Sequence, residues 1–401
     1  MFRIVEKEIN LEFSLGHHQH CLLCQIPNHL GLHGFACKLT DPAEQWRQIR
    51  SILDLVAEGA GNLKKLHFLV LPETALPAAH LEEAIDFIGD HFRPNTVTIF
   101  GVEHIQLTEY RRFLEIYRRE NEETLASVLT DIGAGDIEGM PVNCAVAAIK
   151  EADGRLRVFL FAKSHPFVGE ETIDPFHDLY RGKVFPFFRC TPNGFNFMAL
   201  ICLDYVYRDL YQSNISVVIN KANELFHRTR QRLDFLAILE CNPKPEHKAF
   251  RDVVNGFYGE YLAYTPGVRD TVTVFCNVSE ETSGLNSKGD APFGHSSVII
   301  HKSHKIEMVR YHEFASDDFG GLPVCRLRFG TQTRLYYFNI PLFHELDPRT
   351  TRFPLKVHGI YRPDGNGGWE RLEDDNSDAA ASEPAHLAAP KIAAVDRGEH
   401  H

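Results

Sequence analysis

The apolar residues of this chain gather in short runs, and several of those runs stop abruptly at a charged or nucleophilic residue. Leu66-His-Phe-Leu-Val-Leu71 runs into Pro72-Glu73-Thr74, residues 155–162 run into Lys163-Ser-His-Pro166, and residues 195–201 run into Cys202. Runs this short suit strands of a buried sheet, whereas a membrane span needs about eighteen or more apolar residues. A residue just past such a run stands at the carboxyl end of a strand. Open α/β sheets place their chemistry there.

The rest of the pattern is mixed α/β. Residues 20–26 read as a first strand. Asp41-Pro-Ala-Glu44 opens a helix, with Asp at the cap and Pro just inside. Trp46, Ile49, Ile52, Leu53 and Val56 follow at helical spacing, and Gly59 and Gly61 stop it. A helix over 79–92 and a strand over 96–103 come next, and the charged stretch 109–121 reads as a solvated excursion. Residues 143–150 and 155–162 form a hairpin around Ala152-Asp-Gly154, and 186–190 and 195–201 another around Thr191-Pro-Asn-Gly194. A strand is expected over 215–220, helices over 228–240 and 246–264, and strands over 270–276 and 294–300. Further strands are expected over 322–343 and 355–361. This order favours two layered sheets flanked by helices over a barrel.

The bulk properties narrow the class. The chain has 401 residues, 44% of them hydrophobic, enough for a large core. Net charge is −12 with the basic residues scattered, which argues against a duplex nucleic-acid partner. Nine cysteines at no framework spacing fit reduced thiols, and the amino end has no apolar run behind a basic start. The expectation is a cytoplasmic protein with no signal peptide and no membrane partner. Cys21 and Cys24 stand near His17, His18 and His20, but no second Cys/His pair lies at zinc-like spacing, so no metal or other cofactor is expected. The last residues, 375–401, are poor in large apolar side chains and are expected to be disordered.

Glu73, Lys163 and Cys202, each after an apolar run and in that order, resemble the carbon–nitrogen hydrolase (nitrilase) superfamily. The resembling segments are Phe68-Leu-Val-Leu-Pro-Glu-Thr-Ala-Leu-Pro77, Phe161-Ala-Lys-Ser-His-Pro166 and Met198-Ala-Leu-Ile-Cys-Leu-Asp-Tyr205. Asn143-Cys-Ala-Val and Phe293-Gly-His-Ser296, with Asn277 upstream, support them. The resemblance spans roughly residues 20–305. It implies a four-layer α-β-β-α sandwich over 1–310, an extension of strands over 311–374, and a homodimer or larger homo-oligomer paired through helices beside the cysteine strand, near 209–213.

The chemistry gives each residue type a reason. A thiol near neutral pH is mostly protonated and needs a base or a cation to become a thiolate. Glu73 is the base, and Lys163 supplies positive charge where an oxyanion forms. The resemblance adds the Leu203 backbone N–H as a donor and a second glutamate, for which Glu170 and Glu171 both stand at the right distance. Tyr205, Asn223 and His295 are the substrate-binding candidates. The expected function is hydrolysis of a small amide, carbamoyl compound or nitrile through a thioester or thioimidate, with water as second substrate. The alternatives are an interaction or sensing subunit on the same fold, or acyl transfer from the same cysteine.

Some features stand apart. The family's Arg-Ala-x-Glu-Asn helix after the cysteine strand is absent, and segments 104–139 and 223–268 are enlarged. His165, His177 and His295 would suit a Cys–His pairing, though ordinary packing roles account for them. A lone cysteine at a strand end is ordinarily a buried core thiol.

Overall fold

Residues 2–13, 19–33, 36–166, 179–192, 194–206, 213–243, 245, 255, 258–259, 264–284, 293–302, 306–307, 313–318, 321–341 and 354–372 are described in the computed structural model. In chain order the strands are β1 (Arg3–Leu11), β2 (Gln19–Gln25), β3 (Leu30–His33), β4 (Ala36–Leu39), β5 (Phe68–Val70), β6 (Thr96–Gln106), β7 (Pro141–Lys150), β8 (Leu156–Ala162), β9 (Val184–Pro192) and β10 (Asn196–Ile201). They continue with β11 (Phe235–Leu239), β12 (Val272–Cys276), β13 (Ser297–His301), β14 (Ile306–Glu307), β15 (Phe314–Asp318), β16 (Val324–Phe329), β17 (Arg334–Ile340), β18 (Leu355–Pro363) and β19 (Trp369–Arg371). The helices are α1 (Pro42–Glu58), α2 (Leu81–His91), α3 (Leu107–Ile116), α4 (Arg118–Ala134), α5 (Leu203–Val206) and α6 (Asn214–Thr229). None of the described helices is long and apolar enough to cross a membrane.

Two large mixed sheets organise the fold. The first runs β1-β9-β10-β11-β12-β13-β16-β15 and the second β14-β18-β17-β2-β5-β6-β7-β8. Each has a parallel centre, β10-β11-β12 in the first and β2-β5-β6 in the second. Parallel neighbours need crossover connections, which α6 supplies between β10 and β11 and α1 and α2 supply around β5.

The sheets share one apolar core. Phe68 of β5 meets Phe197 of β10 at 5.3 Å and Phe235 of β11 at 4.8 Å between ring centroids. Phe159 of β8 meets Phe188 of β9 at 5.0 Å. Strand periodicity sorts β2 between two cores: Cys21 and Leu23 enter this shared core, while Leu22 and Cys24 face the other side. There Trp46, Ile49 and Leu53 of α1, Ile85 of α2, Tyr110 and Phe113 of α3 and Val128 of α4 bury against the second sheet. Ile215, Val218, Ala222 and Leu225 of α6 join the first core.

Local chemistry explains the helix ends. Asp41 caps α1, accepting the Glu44 N–H at 2.9 Å, and Gly59 closes it in the left-handed region at φ 62°.

Four readings of the sequence are corrected. The first strand is β1, a charged edge strand parallel to β9, ahead of the one expected at 20–26. Residues 109–121 are not a solvated excursion: α3 and α4 carry their charges outward and bury Tyr110, Phe113, Leu114, Leu125 and Val128. Residues 215–220 are helix, because Ile215, Val218, Ile219, Ala222, Leu225 and Phe226 recur at helical spacing and outweigh the β-branched run. Residues 235–239 are strand: Phe-Leu-Ala-Ile-Leu is a continuous buried run between parallel neighbours. The later strands enter both sheets, β16 beside β13 and β17 beside β2. Most of the helix expected at 246–264, the segment 207–212 and the tail 375–401 lie outside the described residues.

Two predictions follow from this packing. A Cβ at Gly101 would stand 2.5 Å from Thr74 N and 2.6 Å from Glu73 Cα. Gly101→Ala should cost about 1–3 kcal/mol by overpacking, whereas Gly133→Ala, which meets nothing within 4 Å in α4, should gain about 0.5–1 kcal/mol. Equal melting temperatures for the two variants would show that the Glu73 turn moves freely. The second prediction concerns His67, which accepts the His20 N–H at 3.1 Å. Burial, with Arg93 and His20 adding, holds its imidazole down at about 3. The unfolded chain then binds the proton first. His67 therefore stabilises the fold above its unfolded pKa near 6.5, and that stability is lost as pH falls from there toward 3. His67→Gln should flatten the fall in unfolding free energy over that window in urea titrations.

Candidate active site

Glu73 sits in a turn that leaves β5 and is pinned from several sides. Leu71 N–H reaches Ile99 O at 2.9 Å, Gly101 N–H reaches Pro72 O at 3.0 Å, and Thr74 adopts φ 55°. Asn28 Nδ2 donates to Glu73 O at 2.7 Å and to Thr74 Oγ1 at 3.1 Å. The carboxylate is 3% exposed. Its Oε1 accepts Lys163 Nζ and Asn143 Nδ2, both at 2.8 Å, and its Oε2 accepts the Cys241 backbone N–H at 2.9 Å.

Lys163 follows β8 and is fully buried. Its backbone N–H bonds Asn143 O at 2.8 Å and its carbonyl accepts Gly182 N–H at 2.8 Å. Gly182 has to be glycine, because a Cβ there would fall 1.9 Å from Ala162 O. A buried carboxylate and ammonium are tolerable only when paired and hydrogen-bonded. Here the ion pair and the two flanking N–H donors meet that condition.

Cys202 ends β10 in the first sheet, 8% exposed and at φ 45°, the left-handed region. A non-glycine residue there carries strain on the order of 1–3 kcal/mol, a cost found mainly at functional turns. Its N–H bonds Leu239 O at 2.8 Å and its carbonyl accepts Tyr205 N–H at 3.1 Å, so α5 starts at once. Two links tie this strand end to the Glu73–Lys163 pair. Two residues beyond Leu239, Cys241 donates to Glu73 Oε2. Two residues beyond Cys202, Asp204 Oδ1 accepts Ser164 N–H at 2.9 Å and His165 N–H at 3.0 Å, just past Lys163.

The supporting motifs hold this neighbourhood in place. Asn277 accepts the Asn242 N–H at 2.9 Å and donates to Asn242 O at 2.9 Å and Gly294 O at 2.8 Å. Ser296 Oγ accepts the Asn277 N–H at 2.9 Å. They fix the segment that presents Cys241 to Glu73.

The substrate-binding candidates have structural partners. Tyr205 is wholly buried, edge-on to Phe275 at 5.3 Å, and burial pushes its hydroxyl well up. Asn223 Oδ1 accepts the Gly267 N–H at 3.0 Å. His295 bonds Phe329 O through Nδ1 at 3.0 Å and adopts φ 56°. Leu203 opens α5 and packs partly buried on the core. His165 is held by Ser164 Oγ at 2.6 Å and Asn214 Nδ2 at 3.0 Å through its Nδ1. Glu103 accepts the Ala78 and Leu39 N–H groups, and His104 accepts that of Cys37, so both pin neighbouring loops. Glu170, Glu171 and His177 lie outside the described residues.

Asn28, Asp204 and Cys241 were not singled out from sequence. Cys241 was detectable: had 235–239 been read as strand, it too would have stood at a strand's carboxyl end. Asp204 lies within the cysteine segment but carries no signal by residue type alone, and Asn28 carries none.

All nine cysteines carry thiols. Burial pushes the thiols of Cys21, Cys24, Cys190 and Cys276 well up. Burial also raises the half-buried Cys241 thiol, Glu73 adds to that, and Lys163 opposes it. No metal-holding group of three or more His, Cys, Asp or Glu side chains occurs among the described residues. No protein-family model matches this chain, and no curated protein matches it either.

The pair itself is testable by urea unfolding. Lys163→Met strands a buried carboxylate and should cost about 3–5 kcal/mol. Adding Glu73→Gln should recover part of that loss, because the uncompensated charge is gone. Strictly additive losses would mean that the two side chains do not form one unit.

Proposed function

We propose that the chain is a carbon–nitrogen hydrolase of the nitrilase type, built as a four-layer α-β-β-α sandwich and acting on a small amide, carbamoyl compound or nitrile. The observation that carries this reading is the buried 2.8 Å pair of Glu73 and Lys163, with Glu73 accepting the Cys241 N–H beyond β11, the neighbour of β10, and Ser164, next to Lys163, donating to Asp204 two residues past Cys202. The family resemblance of the three strand ends supports it from the sequence side.

On this reading Cys202 is the nucleophile. Glu73 accepts the thiol proton as sulfur bonds to the substrate carbon. With an amide, the carbonyl oxygen takes the displaced electron pair and Lys163 stabilises it. The carbon–nitrogen bond then breaks, and the amine leaves with the proton that Glu73 returns. Water attacks the thioester with Glu73 again as base, which releases the acid and restores the thiol. Asn143 shares Oε1 of Glu73 with Lys163 and orients the carboxylate. The thiols of Cys21, Cys24, Cys190 and Cys276 are buried and pushed up, so they compete poorly as nucleophiles. The reading extends to a homo-oligomer paired beside the cysteine strand.

Ammonia release from a panel of amides, nitriles and carbamoyl compounds, measured with the intact mass of the protein, tests this. Cys202→Ala should abolish turnover and keep the fold, since replacing a sulfhydryl by hydrogen leaves only a small cavity. Lys163→Met should lose on the order of a hundred- to a thousand-fold in rate. Removing two of the three residues should cost little more than removing one. Full activity in Cys202→Ala would overturn the assignment. A covalent adduct with amine transfer but no hydrolysis would favour acyl transfer. An inert Cys202 with no turnover would favour an interaction subunit.

A further inference from the structure

We propose that Asp204 is a positioning residue for Cys202, tying the loop after Lys163 to the short helix after the cysteine and so setting thiol against ammonium across the two sheets. This inference rests on the hydrolase reading above.

The tie is compact. Asp204 is fully buried, and its Oδ1 accepts Ser164 N–H at 2.9 Å, Ser164 Oγ at 2.9 Å and His165 N–H at 3.0 Å. Asn214, at the start of α6, braces the same loop from Ser164 Oγ at 3.1 Å and His165 Nδ1 at 3.0 Å. Burying a carboxylate is costly unless donors replace its water; successive backbone N–H groups and the Ser164 hydroxyl supply them to Oδ1, while Oδ2 is buried without a hydrogen-bond partner among the described residues.

Topology shows why a tie is needed. Lys163 follows β8, which among the described residues is the terminal strand of its sheet and pairs with β7, while Gly182 N–H holds the lysine carbonyl. Cys202 follows β10, in the interior of the other sheet, and its N–H is fixed to Leu239 O. Asp204 supplies a hold from the opposite sheet, one and two residues beyond the lysine. Such a hold matters because a displacement of about 1 Å at a reacting group can cost on the order of a hundred-fold in rate.

Alkylation of Cys202 by iodoacetamide, followed against pH by peptide mass mapping, tests the proposal without a known substrate. Among the described residues the titratable groups around this junction are Glu73, Lys163, His165, Asp204, Tyr205, Tyr258, Glu240 and Cys241, and all but Asp204 stay unchanged in the main variants. Wild-type Cys202 should titrate below the ordinary thiol value of about 8.5. Asp204→Ala should move the midpoint upward by about one unit as the ammonium drifts from the thiol. Asp204→Asn keeps an oxygen for the two N–H donors and should stay within about 0.3 unit of wild type. If Asp204→Ala does not fold, the Ser164→Ala/Asn214→Ala double variant removes the side-chain half of the tie and should shift the midpoint in the same direction by less.

A folded Asp204→Ala or double variant with the wild-type midpoint would overturn the inference. So would a downward shift in both Asp204 variants, because that is the signature of charge repulsion rather than placement. A wild-type Cys202 that titrates like a free thiol would remove the hydrolase reading and this inference together. A perturbed wild-type value that ignores Asp204→Ala would remove this inference alone.

Discussion

A buried ion pair joins the end of β5 to the end of β8, and the site is built around it. Glu73 and Lys163 meet at 2.8 Å with almost no solvent access. Removing two charges from water costs several kcal/mol each, and a well-packed apolar pair often stabilises as well or better. Stability alone is therefore a weak reason for such a pair. Its surroundings satisfy its hydrogen-bonding needs: the Asn143 amide and the Cys241 N–H donate to the carboxylate alongside Lys163. On the proposed hydrolase reading, a carboxylate and an ammonium held this way serve proton transfer and hold developing negative charge.

The pair also constrains the fold around it. Glu73 must leave β5 in a tight turn that packs on Gly101, and Lys163 must leave β8 where Gly182 passes against Ala162 O. Both contacts exclude a side chain at the glycine. On the proposed reading the two sheets must keep one register relative to each other, because Cys202 follows a strand of the first and the ion pair belongs to the second. The aromatic contacts of Phe68 with Phe197 and Phe235 supply the non-directional part of that hold. The Cys241 and Asp204 hydrogen bonds supply the directional part.

Much of this was legible in the sequence where local signals agree. The Asp41 cap, the helical stripe from Trp46 to Val56, the Ala152-Asp-Gly154 hairpin and the strand ends at Glu73, Lys163 and Cys202 follow from residue type and spacing. The misread segments are those where two signals compete. Residues 215–220 are rich in β-branched side chains, yet their longer apolar repeat is helical. Residues 235–239 are short and continuously apolar, a pattern that periodicity alone assigns to neither state. The charges of 109–121 concealed the buried Tyr110 and Phe113. The ties at the site were beyond reach for a different reason. Asn28, Asp204 and the Cys241 N–H act through contacts between residues far apart in the chain, and no local pattern encodes those partners.

The central claim is that Cys202 is the nucleophile of this constellation. Brief exposure to p-nitrophenyl acetate, followed by intact mass and peptide mapping, tests it most directly. The account predicts the mass gain of one acetyl group, mapped to Cys202, longer-lived in Glu73→Gln and absent from Cys202→Ala. An acetyl group mapped to Cys241 or Cys325, or a gain that persists in Cys202→Ala, would contradict it.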